Sequence, residues 1–185
     1  MTLYSVALFL HIVGALGFFV ALGIEWTALL HLRRATTTEQ TREWLGVFAG
    51  LRGVASISEA AILLPGLYMA ATTWGIAAWI ATTLAAWLLI GILGTGLTGR
   101  LIAPIRAAVF AHSGVLPPAL SQDLRDPRLW ISIQTRTAIA LGIVFLMSVK
   151  PGLAGSLLAI GVAVALGLAL AFLTSGRSKV KDAAV

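Results

Sequence analysis

The stretch LYSVALFLHIVGALGFFVALGIEWTALLHL, residues 3–32, decides how the chain is read. About 20 apolar residues suffice for a helix to cross a hydrocarbon core of about 30 Å, and this run exceeds that length with Glu25 as its one acidic residue. It is also longer than a signal-peptide core, and no Lys or Arg precedes it, so it reads as a retained span. Working outward, further apolar runs cover residues 46–70, 76–98, 130–149 and 152–173, with the first span placed at 4–31. The break at Lys150, Pro151 and Gly152 separates the last two.

Composition agrees with lipid as the solvent. The 185 residues are 59% hydrophobic, with a mean hydropathy of +0.97. Charged residues make up 11%, against roughly 25% in soluble domains. The expected fold class is all-α: a multi-pass transmembrane helical bundle of five spans, forming one integral membrane domain over residues 1–185. Arg33, Arg34 and Arg42 follow the first span, and Arg100, Arg106, Arg125 and Arg128 lie in the connection 100–129. Arg177, Lys179 and Lys181 follow the fifth, whereas Lys150 alone falls on the opposite side. Cytoplasmic loops carry the excess of Lys and Arg, so the N-terminus is expected outside and the C-terminus in the cytoplasm of a bacterial inner membrane.

The net charge of +6 sits in short loops between apolar runs, which argues for anionic lipid headgroups as its partner and against nucleic acid. Absence of cysteine excludes disulfides, thiolate metal sites and thiol catalysis. No serine, histidine and carboxylate share a depth, so a hydrolase has no support.

Local signals organise the connections. Thr36 and Glu39 have the spacing of a capping box for the second helix. Pro65, followed by Gly66, removes a donor and should free the carbonyl of Ala61. Ala70 to Trp74 reads as a tight external turn. The GTGLTG run at 94–99 formally matches a dinucleotide fingerprint, but it lacks the preceding strand and is better read as helix packing. Gly91, Thr95 and Gly99 form one small-residue stripe, and Ala163, Gly167 and Ala171 another. Such stripes would admit other membrane subunits or a homo-oligomer. Pro104, Pro117, Pro118 and Pro127 interrupt the long connection, where 105–111 could lie among headgroups with Arg106 reaching phosphates.

Five polar residues within the spans form a candidate charge network or ligand site: Glu25, Arg52, Ser56, Glu59 and Arg136. By helical rise, Glu25 and Arg136 lie about 9 Å and Arg52 about 12 Å from the cytoplasmic boundary. Charges in lipid are costly, so opposite signs at matched depth should meet. Arg52, Ser56 and Glu59 share one stripe of the second helix, and Gln134 and Thr137 offer further hydrogen bonds. The network can be structural, or it can serve a small ligand or a proton or anion pathway.

His11 poses a separate question. It lies about 10 Å from the external boundary by helical rise, and Met69 and Met147 also lie near external helix ends. Imidazole and thioether together suit haem b or copper(I), whereas a structural histidine and gap-filling methionines remain the alternative.

The opening LHIVGALGFFVALGIEW and the later RTAIALGIVFLMSVKPG resemble segments of an uncharacterised family of small bacterial integral membrane proteins. The first is more distantly similar to helices of copper-resistance D-type membrane proteins. This resemblance implies a compact inner-membrane helical bundle with His11 at the position of a metal or haem ligand.

Overall fold

The computed structural model describes the backbone of residues 2–182 and the side chains of residues 2–174. The side chains of Arg177, Lys179 and Lys181, which enter the charge count above, lie outside the described residues. The helices are α1 (Leu3–Leu32), α2 (Thr38–Met69), α3 (Ala78–Gly91), α4 (Gly99–Ala111), α5 (Pro118–Leu124), α6 (Pro127–Val149) and α7 (Leu153–Asp182). Wide π-helical turns at Ala70–Trp74 and Ile92–Thr98 extend α2 and join α3 to α4. Five helical stretches are long and apolar enough to cross a membrane, and among the described residues there is no strand. The expected turn after Ala70 is therefore helical as far as Trp74, and Gly75, with φ +63°, ends it.

Contacts divide the chain into two compact units, Met1–Ala77 with Ser113–Val115, and Ala78–His112 with Leu116–Val185.

In the first unit α1 and α2 pack antiparallel along a seam of small residues. A Cβ added to Gly14 would lie 2.8 Å from the backbone carbon of Ala61, and one on Gly17 would lie 2.6 Å from the Ser58 hydroxyl. Only glycine permits that approach. Three residues forward on α1 are thus three back on α2, and the same register carried on brings His31 to Trp44. Their rings stack at 3.9 Å with 19° between planes. The start of α2 is capped one residue later than its sequence suggests. Thr37 accepts from the Gln40 amide at 3.2 Å, and the Gln40 side chain accepts from the Thr36 amide at 3.1 Å.

Residues 113–115 return to this helix start as a clasp. The Thr38 amide donates to the Gly114 carbonyl at 3.0 Å, and the Gly114 amide donates to the Glu39 carboxylate at 3.3 Å. Thr37 and Val115 form an isolated antiparallel bridge. Gly114 holds φ +88°, a conformation that side chains disfavour.

In the second unit α6 is the central helix. Ser132, Ile133, Gln134, Thr135 and Arg136 are consecutive and all buried, and successive helical residues point about 100° apart, so α6 is enclosed on every face at that level. Asp126 caps its start by accepting from the Arg128 amide at 2.8 Å, and Pro127 occupies the first turn, where no amide donor is needed. On α7, a Cβ at Gly167 would come within 2.7 Å of the Thr135 Cα. Ala163 and Ala171 are buried on the same stripe, so the α7 small residues pack as the sequence predicts. The other stripe differs: Gly91 and Thr95 are exposed, while Gly94 and Thr98 face α6.

Candidate functional site

The strongest polar site lies where α6 meets the π-helical turns of Ile92–Thr98. Ser132 and Arg136 are four residues apart and therefore share a face of α6. The Thr98 hydroxyl donates to the Ser132 hydroxyl at 2.8 Å, which in turn donates to the Leu93 carbonyl at 2.8 Å. One turn along, the Arg136 guanidinium lies over Gly94, with Nη1 3.2 Å and Cζ 3.7 Å from where a Cβ would stand. Arg136 is 6% exposed. A Cβ at position 94 would press on this cation and require it to shift by a few tenths of an ångström, so GTGLTG supplies packing room for an arginine. π-Helical turns of this kind recur at functional sites because they widen the backbone and re-aim its groups.

The apolar runs 76–98, 130–149 and 152–173 contain one charged residue, Arg136, and no Asp or Glu. On the α7 side, Trp130 Nε1 and Gln134 Nε2 both donate to the Thr174 hydroxyl at 2.8 Å. The Thr137 hydroxyl donates to the Ile133 carbonyl at 2.8 Å within α6.

Glu25, Arg52, Ser56 and Glu59 belong to the first unit and Arg136 to the second. In the α1–α2 register Glu25 is level with Gly50, so Arg52 lies about 3 Å further along the axis and Glu59 about 13 Å further. Glu25 and Glu59 are half-buried, whereas Arg52 and Ser56 are exposed. The buried polar residue that α2 turns toward α1 is Ser58, 6% exposed beside Gly17. Sequence reading passed over Ser58, yet Gly14 and Gly17, spaced three apart on α1, marked the face that would receive it.

His11 is half-buried, and its Nδ1 lies 2.8 Å from the Ile62 carbonyl oxygen. A carbonyl only accepts, so Nδ1 carries a proton; in the neutral form of such a ring the lone pair is on Nε2. Gly66 makes room for the ring, which lies 3.1 Å from the position of a Cβ there. Met69 is buried, on the same face of α2 as Ile62 and Gly66 by the four- and three-residue steps between them. Met147 is half-buried in the second unit. Among the described residues no three or more His, Asp or Glu side chains gather as a metal cluster. No known protein family, curated protein or solved structure matches the chain.

Proposed function

We propose that the chain is a non-enzymatic integral membrane protein of a bacterial inner membrane, with its N-terminus outside and C-terminus in the cytoplasm. Its polar interior binds a small oxyanion at Arg136. The observation that carries this reading is the buried guanidinium over Gly94, beside the Thr98–Ser132 hydroxyl pair. A guanidinium presents a planar fork matched to carboxylate or phosphate, and exclusion from water strengthens the pairing. Half-buried Glu25 and Glu59 serve a structural role in the first unit. The test of binding is whether oxyanion affinity follows the charge at position 136. Orientation is tested by single cysteines, since the chain has none of its own. Thr73→Cys should react with an impermeant thiol reagent from outside, and Thr36→Cys only after the membrane is opened; the reverse pattern overturns the orientation.

A second reading has its own observation. The Nδ1 proton of His11, donated to Ile62, leaves Nε2 in the form that ligates haem iron or copper. A Soret band or bound copper that is lost in His11→Ala supports this redox role, and a colourless, metal-free protein from its own host refutes it.

A further inference from the structure

We infer that the exposed face of α4 is a binding surface for anionic phospholipid headgroups, centred on Arg100 and Arg106. Helix α4 buries Ile102, Ile105 and Val109, one face by their spacing. Arg100, Arg106 and Phe110 are exposed, Phe110 to 59%. The preceding apolar run ends at Thr98, so Arg100 follows the hydrocarbon edge by about 3 Å of helix and Arg106 by about 12 Å. These positions match the depth of headgroup phosphates and the water just beyond.

The surface has few competing anions. From Ala60 to Gln122 the sequence contains no Asp or Glu. Helix α5, which packs against α4, adds Asp123 alone, and it is exposed. Every cation from Arg33 to Arg128 is arginine. The guanidinium fork can engage two phosphodiester oxygens at once, which a lysine cannot do. The proposal rests on the membrane-span reading but is independent of oxyanion binding at Arg136.

The test is lipid retention by the full chain, reconstituted in nanodiscs of equal phosphatidylglycerol and phosphatidylcholine and released for native mass spectrometry. Wild type should keep phosphatidylglycerol over phosphatidylcholine, with each arginine contributing about fivefold at low salt. Arg100→Ala with Arg106→Ala should approach parity, and Arg125→Ala with Arg128→Ala should retain the preference. If the double alanine variant does not fold, Arg100→Lys with Arg106→Lys keeps the charge and should show a reduced preference. Parity in wild type, an unchanged preference in the α4 variants, or equal loss in both double alanine variants overturns the proposal. A chain that stays monodisperse with neither detergent nor lipid overturns the span reading, and this surface with it.

Discussion

His11 donates from Nδ1 to the carbonyl oxygen of Ile62 across 2.8 Å, joining residues 51 apart in sequence, in the part of the α1–α2 seam nearer the start of α1 and the end of α2. Pro65 lies three residues beyond Ile62 inside an unbroken α2. A proline within a helix leaves the carbonyl four residues back without its amide and crowds the backbone there. Sequence reading expected the freed group at Ala61; the imidazole reaches the next carbonyl along.

His11→Ala should therefore destabilise the helix pair by about 1 kcal/mol, the usual worth of an interhelical hydrogen bond in lipid. Reversible unfolding in mixed micelles measures it. Nitrogen NMR of the imidazole should show the Nδ1-protonated tautomer; an Nε2-protonated ring would exclude the bond.

Seam glycines should differ sharply from open ones. Gly14→Ala drives a methyl to within 2.8 Å of the Ala61 backbone and should cost about 1–3 kcal/mol through forced separation of the helices. Gly23 has nothing within 4 Å of an added Cβ, so Gly23→Ala should be neutral or stabilising by up to about 1 kcal/mol. Equal effects in the same unfolding assay would contradict the register.

The clasp at the start of α2 is separately testable. Thr38→Val removes a hydroxyl 3.1 Å from the Gly114 carbonyl, and Glu39→Ala removes the acceptor for the Gly114 amide. Each should cost about 1 kcal/mol, or roughly fivefold in the opening equilibrium. Limited proteolysis should then cut faster between His112 and Leu116. Unchanged cleavage in both variants would show that the clasp does not restrain the segment.

The five apolar helices were legible because length and hydropathy are local properties of a sequence. Which face of each helix packs was less legible, because facing depends on the partner. On α2, Arg52, Ser56 and Glu59 formed the conspicuous polar stripe, yet α1 selects Ser58, because Gly17 leaves room for its hydroxyl alone. On the run after α3, Gly91, Thr95 and Gly99 repeat every four residues, but the π-helical turns change the angular step, and Gly94 and Thr98 face α6. The backbone carbonyls of Leu93 and Ile62 had no sequence signal at all. A signal did exist for α6, where Ser132, Gln134, Thr135, Arg136 and Thr137 crowd five polar residues into six positions of an otherwise apolar helix.

Gly94 should be as important as the arginine it accommodates. Gly94→Val places branched carbon where Nη1 of Arg136 lies 3.2 Å away, and the guanidinium must shift. The expected outcome is about 1–3 kcal/mol of destabilisation from overpacking, together with loss of oxyanion binding. Gly91→Val, where an added Cβ meets nothing within 4 Å, should preserve binding. Loss in both variants would break the link between position 94 and the site.

The most direct measurement is isothermal titration of the detergent-purified chain with phosphate and with acetate at constant ionic strength, for wild type, Arg136→Lys and Arg136→Gln. The account predicts saturable binding of at least one oxyanion by wild type, about tenfold or more weakening in Arg136→Lys as the bidentate fork is lost, and none in folded Arg136→Gln. Oxyanion binding of equal affinity in wild type and Arg136→Gln, or no binding of either anion by wild type, would contradict it.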